Sequence, residues 1–191
     1  MPNDLGELLK KSGVLREGHF LLTSGKHSDR YFEKFRILEQ PPVCEAFAKA
    51  VADRFRKENV TVVCGPTTGG VIIAYEVARL LGCRCIIAEK AELGRKIGRG
   101  FRLGPEDRVL VVDDVLTTGG SIKETLAAVE PSGARVVGVG VYVDRSAGVD
   151  FGVPSFGAFR QQVAAFEPSV CPLCAKGVPL EEPGRSGKAR G

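Results

Sequence analysis

Hydrophobic and polar positions follow two rhythms along this chain. After Pro41-Pro42, the residues Val43, Ala46, Phe47, Ala50, Val51 and Phe55 recur at steps of three and four. That spacing predicts an amphipathic helix opening at the proline pair, where a missing backbone N–H costs nothing. Leu5, Leu8 and Leu9 repeat the spacing between Asp4 and Lys11, with Asn3 or Asp4 as N-cap and Gly13 just past the end. Between them, His19 to Leu38 mixes aromatic and β-branched residues around the polar break TSGKHSD. It reads as two short extended segments joined by a tight turn.

From Val60 onward the rhythm changes. VTVVC (60–64), CRCII (83–87), RVLVVD (108–113) and RVVGVGVYV (135–143) are near-continuous apolar runs. Helical stretches alternate with them, at Val71 to Leu81, closed by Gly82, and at Ile122 to Val129. Strands apolar on both faces and alternating with helices predict an α/β fold, a doubly wound and mainly parallel sheet covered on both sides. The organisation expected is one compact domain: an N-terminal segment over 1–40, an α/β core over 41–165 and an irregular C-terminal tail over 166–191. The last ten residues, EPGRSGKARG, are polar, glycine-rich and expected to be disordered.

Composition narrows the class without choosing a function. The 191 residues are 43% hydrophobic and 26% charged, which excludes disordered and collagen-like chains. No apolar run approaches the roughly 20 residues that span a bilayer, and MPNDLGELLKK has no apolar signal region, so a cytoplasmic protein without membrane association is expected. The net charge of +4 is too mild to indicate nucleic acid. Between Gly94 and Arg102, however, Arg95, Lys96, Arg99 and Arg102 gather with no acid among them. Such a loop suits a small polyanion, or is simply a solvated charged loop. Of six cysteines, Cys44, Cys64, Cys83 and Cys85 sit in apolar surroundings and read as small buried hydrophobes. Cys171 and Cys174 form C-P-L-C, half of a zinc site at most. The second pair of ligands is not nearby in sequence, and His19 and His27 lie far away. Zinc or redox chemistry stands beside a structural or incidental role for this pair, and the incidental role is the expectation.

Ligands of open α/β sheets bind beyond the C-terminal strand ends, so the loops there carry the candidate chemistry. In VLVVDDVLTTGGS (109–121), an apolar strand delivers Asp113 and Asp114 with no Lys or Arg beside them. Such carboxylates expect sugar hydroxyls or a hydrated Mg²⁺. TTGGS then enters a helix, where small residues and free N–H groups make an anion site. Hydroxyl binding followed by phosphate binding describes a ribose 5-phosphate. GPTTGG (65–70) offers a second phosphate cradle through Thr67 and Thr68, and it is not a Walker A loop. The stretch from Lys90 to Leu103 has the glycines of a flexible lid and the cations to stabilise a departing pyrophosphate.

DDVLTTGGS resembles the phosphoribosyl pyrophosphate (PRPP) motif of type I phosphoribosyltransferases. HFLLTSGKHSDRYF (19–32), with Ser24, Gly25, Ser28 and Tyr31, resembles the hood segment of the orotate phosphoribosyltransferase family. RGFRL, YVDRS and CPLCAKGVPL resemble one bacterial and archaeal branch of it. The pattern is departed from at Thr67–Gly70, which carries no lysine, at Thr23, and in the lid, which has no histidine. The resemblance implies a Mg²⁺-dependent transfer of phosphoribosyl from PRPP to orotate in pyrimidine biosynthesis. It implies that Asp113 and Asp114 hold the ribose hydroxyls and that Thr117 to Ser121 hold the 5-phosphate. Val115, Leu116, Thr118, Gly119, Gly120, Thr67, Thr68, Lys90 and Arg99 complete the PRPP site, with Lys90 catalytic beside the two carboxylates. Orotate falls to Thr117, Arg145, Ser24 and Gly25, and no side chain is assigned to the metal itself. A homodimer whose basic lid reaches the neighbouring site is implied as well. A salvage purine phosphoribosyltransferase and a PRPP-binding regulator without turnover are the competing readings.

Overall fold

A computed structural model describes residues 5–22, 24–161 and 164–183 of the chain. The N-cap candidates Asn3 and Asp4, the family departure at Thr23 and most of the polar terminus lie outside those residues. The chain opens with α1 (Leu5–Lys11) and a hairpin of β1 (Leu15–Leu21) and β2 (His27–Phe32), which form the antiparallel hood predicted around the polar break. A bulge between Glu17 and Phe20, across Gly18 and His19, shifts its register. A short α2 (Phe35–Leu38) leads into α3 (Pro41–Phe55), which starts at the proline pair and buries Val43, Phe47, Val51 and Phe55.

The remaining chain builds β3 (Val62–Pro66), α4 (Gly69–Leu81), β4 (Arg84–Lys90), β5 (Arg95–Ile97), β6 (Arg108–Leu116), α5 (Gly120–Val129), β7 (Arg135–Asp144) and β8 (Ser155–Arg160). They form a six-stranded sheet of order β5-β4-β3-β6-β7-β8. All neighbours are parallel except β5, which pairs antiparallel with β4. Residues alternate across β3 and β6: Val63, Leu110 and Val112 pack toward α3 and α4, whereas Val62, Cys64, Val109 and Val111 pack toward α5. Burial on both faces explains why these strands read as unbroken apolar runs. Among the described residues no helix is long and apolar enough to cross a membrane.

Three expectations are corrected. The lid stretch is not a free loop: Ala88, Glu89 and Lys90 pair with Ile97, Lys96 and Arg95, because extended residues beside an exposed sheet edge complete its hydrogen bonds. The tail over 166–191 is not wholly irregular, since it contains α6 (Pro172–Ala175), while β8 adds to the sheet within the core. The tail also docks on the hood, with Glu181 bridging beside Phe20 and Phe166 beside His27. The two phosphate loops are shorter than expected, because β3 continues through Pro66 and β6 through Leu116.

Candidate active site

The strand order reverses between β3 and β6. From β3 the chain winds through α4 to β4 on one side, and from β6 through α5 to β7 on the other. Ligand crevices form at such switch points. Pairing of β6 with β3 stops at Val111, whereas pairing with β7 continues to Leu116, so Asp113 and Asp114 lie on the open edge of β6. Side chains alternate faces along a strand. Asp113 follows Val111 toward α5, and Asp114 follows Val112 toward α4.

Each carboxylate therefore meets a different helix start. The Asp114 amide donates to Asp113 Oδ1 at 2.9 Å. Burial and the neighbouring Asp114 push the Asp113 carboxyl up to about 6, against hydrogen bonds from the Asp114 amide and Ser121 and the charge of Lys34. Asp114 Oδ1 accepts from the Val115 amide at 2.6 Å. Its Oδ2 is buried and has no hydrogen-bond donor; Lys34 Nζ stands 2.9 Å away, an ion pair by distance but not aligned to donate. Oδ2 also lies against Gly69, where an added Cβ would come within 2.4 Å of it. The expectation that no cation accompanies these carboxylates is thus corrected, because the end of the hood supplies Lys34.

Thr117 and Thr118 are exposed and lead through Gly119, at φ +79°, into α5, whose first turn has no side-chain cap. Four backbone N–H groups at a helix start lack intrahelical partners, so the segment from Thr117 to Ser121 brings uncapped N–H groups to the mouth of the crevice, an arrangement that suits an anion. Val115 and Leu116 are strand residues, half-buried and buried. They contribute backbone rather than side chain, and the Leu116 carbonyl accepts from the Arg145 amide at 2.9 Å. Thr67 and Thr68, joined by a cis peptide, are the whole loop between β3 and α4.

Arg95 was visible only as one of four lid cations. Its side chain is 5% exposed. Nη1 donates to the Thr67 carbonyl (3.1 Å), Thr67 Oγ1 (3.3 Å) and the Ala88 carbonyl (3.2 Å), and Nη2 donates to Ser121 Oγ at 3.1 Å. One guanidinium thus braces the loop after β3 and the start of α5 and, through Ser121, Asp113. Arg145 immediately follows β7, with its guanidinium carbon 5.3 Å from the Phe32 ring centroid, and its buried Nε has no hydrogen-bond partner. Burial lowers its affinity for its proton below the ordinary guanidinium value. A partly desolvated fork held near an aromatic ring is suited to a planar carboxylate.

The structure does not bring every expected residue here. Lys90 is exposed at the end of β4, and Arg99 is exposed and paired with Glu89. Ser24 and Gly25 are exposed in the turn of the hood hairpin, with the length of β2 between them and Phe32. Nothing in the local sequence marks Lys34 or Phe32 as part of this site, and nothing there distinguishes Arg95 from the other lid cations.

Residues 35–152 match the model of the phosphoribosyl transferase domain. The chain is 46% identical over 179 residues to an orotate phosphoribosyltransferase of Caldanaerobacter subterraneus subsp. tengcongensis, covering 93% of this chain and 94% of that one. It is 45% identical over 182 residues to the Thermotoga maritima protein of the same name, covering 95% and 97%. The crystal structure of orotate phosphoribosyltransferase from Aeropyrum pernix is similar with a TM-score of 0.71 at 27% identity, covering 82% of this chain and 93% of that one. Carboxylates on the open edge of a switch-point strand, followed at once by an uncapped helix start, agree with that likeness, and the chain belongs to the orotate phosphoribosyltransferase family.

Proposed function

We propose that this chain transfers the phosphoribosyl group of PRPP to orotate, giving orotidine 5-phosphate and pyrophosphate in pyrimidine biosynthesis. The observation that carries this reading is the placement of Asp113 and Asp114 one turn of chain before the open N-terminus of α5. Hydroxyl-binding carboxylates and a phosphate cradle at that spacing fit a ribose 5-phosphate. Arg145 then lies where the orotate carboxylate would be met, and Thr117 at the edge of the same base. Hood residues 1–40, core residues 41–165 and tail residues 166–191 act as one unit in this reading.

The orotate nitrogen, already an anion or readily made one, attacks C1 of the ribose. The C1–O bond breaks, and its electron pair leaves with pyrophosphate. The work asked of the protein is positioning and charge stabilisation, with no strong base required. Asp113 and Asp114 orient the ribose hydroxyls, and Thr117 to Ser121 hold the 5-phosphate. Thr67 and Thr68, kept in place by Arg95, face the pyrophosphate. The carboxylate oxygens, one of them buried without a donor, are the hard donors that fit a hydrated Mg²⁺. When bound, Mg²⁺ neutralises charge developing on the pyrophosphate.

Lys90 and Arg99 are exposed on the lid hairpin, and Arg99 pairs with Glu89 rather than with a crevice residue, which suits a homodimer in which each lid hairpin serves the neighbouring site. Phe35, Ile72 and Tyr75 are 54%, 48% and 65% exposed, and α2 packs on α4, so they offer a neighbouring subunit an apolar surface. A cytoplasmic setting without membrane or nucleic acid completes the proposal. The test is loss of orotate absorbance with PRPP and Mg²⁺, with adenine, hypoxanthine and guanine as parallel acceptors. Turnover of orotate alone is expected. Turnover of a purine instead, or PRPP binding without turnover of any base, overturns the reading.

A further inference from the structure

The C-P-L-C pair does not stand alone in the folded chain. The bulge in β1 turns His19 inward, and His27 opens β2 on the facing strand, so that His19 Nε2 lies 3.0 Å from His27 Nδ1. The tail brings Cys171 and Cys174 to the same point. Cys171 Sγ is 3.5 Å from His19 Nε2, while Cys174 Sγ is 3.7 Å from that atom and 3.2 Å from His27 Nδ1. All four ligand atoms lie within 4.8 Å of one another. His19, His27 and Cys171 are buried at 2%, 6% and 3% exposure, and both thiols are free of disulfide.

We propose that His19, His27, Cys171 and Cys174 form a structural zinc site. A tetrahedral Zn²⁺, with bonds of about 2.3 Å to sulfur and about 2.0 Å to nitrogen, holds its ligand atoms roughly 3.3 to 3.8 Å apart. The spacings here fall near that range before any ion draws them in. The outer contacts agree. His19 Nδ1 lies 2.8 Å from the Val178 carbonyl, which can only accept, so Nδ1 carries the proton and Nε2 presents its lone pair to the cluster. Two thiolates and two neutral imidazoles cancel the charge of a divalent ion, so the filled site buries no net charge. Thiolate and imidazole together select a borderline-soft metal over Mg²⁺. With four protein ligands no coordination position stays open for a substrate, which makes the site structural rather than catalytic.

Its place in the fold explains what it does. A two-stranded hairpin is marginal alone, and the tail flanks both of its edges. Leu21 donates to Glu181, Glu181 donates to the His19 carbonyl, and His27 and Phe166 exchange a pair of backbone bonds, each at 2.8 Å. Ion pairs Arg16–Glu181 (2.6 Å) and Lys26–Glu167 (2.8 Å) sit beside them. A metal with two ligands from each segment clamps tail to hood, and so steadies the hairpin that carries Phe32 and leads to Lys34.

The test uses the full, untagged chain purified under thiol reductant without chelator. Zinc released by mercurial titration of the thiols is expected at one ion per chain. Replacing it with Co²⁺ is expected to give a near-ultraviolet thiolate charge-transfer band and the intense visible bands of tetrahedral coordination. Cys174→Ser, at an exposed position, is expected to lose the bound zinc and that charge-transfer intensity, whereas Cys85→Ser keeps both. The wild-type measurements stand whether or not the Cys174 variant folds, and none of them depends on orotate turnover. Three results overturn the proposal: a folded, reduced wild-type chain that takes up neither zinc nor cobalt; a Cys171–Cys174 disulfide that takes up no metal after reduction; and full zinc retention in the Cys171→Ser/Cys174→Ser double variant.

Discussion

Lys34 Nζ, just past the hood hairpin, lies 2.9 Å from Oδ2 of Asp114 in the central strand of the core. One charge thus connects two parts of the chain that otherwise meet largely through apolar packing. It also leaves the buried carboxylate held but not saturated, since Oδ2 still lacks an aligned donor.

Asp114→Asn keeps the shape of that side chain and removes its charge. Steady-state assays with PRPP and orotate should show kcat lowered by about 10²- to 10³-fold, the scale of losing one charge-stabilising group. Circular dichroism should be unchanged. Turnover within a few-fold of the parent would remove Asp114 from the machinery.

The Asp113 carboxyl stands at about 6 against an ordinary 3.8. Between those two values the folded chain binds more protons than the unfolded one, so this group makes stability fall as pH rises through the window. Above pH 6 its ionised form costs up to about 3 kcal/mol, the 2.2-unit difference at about 1.4 kcal/mol per unit. Asp113→Asn should therefore raise Tm at pH 7.5, and the gain should vanish by about pH 4. A gain that persists unchanged at pH 4 would mean that the charge is not its source.

Arg145 holds its fork against Phe32 with Nε unpartnered. Arg145→Ala should raise the KM for orotate at least tenfold while the KM for PRPP shifts far less. Arg145→Lys should recover little, because an ammonium cannot make the paired bonds of a guanidinium. Equal effects on both substrates would place Arg145 elsewhere.

The lid hairpin gives a test of assembly. In a dimer with shared sites, a Lys90→Ala/Arg99→Ala chain and an Asp114→Asn chain are each inactive, yet a mixed dimer holds one intact site. After subunit exchange, the mixture should regain about a quarter of parental activity, the statistical share of intact sites in a two-fold assembly. A mixture no more active than its components would confine each lid to its own chain.

What the sequence alone determined is local. The apolar runs from Val60 to Val143 specify buried strands because alternate residues must be covered on both faces, as Val63 and Val62 are. Pro41-Pro42 sets the start of α3, and Thr117 to Ser121 carries the small residues and helix start proposed to bind phosphate within a few consecutive positions. The lid and loop boundaries were misread because pairing with a neighbouring strand, not composition, extends β6 past its carboxylates and folds Arg95–Ile97 onto β4. Tertiary structure alone decided which distant side chains meet. Lys34 reaches Asp114, Arg95 braces Thr67 and Ser121, and His19, His27, Cys171 and Cys174 converge through strand pairing and tail docking. Lysine, arginine, histidine and cysteine have no periodicity to announce such contacts. The partner of each is chosen by the path of the backbone, which only the folded chain fixes.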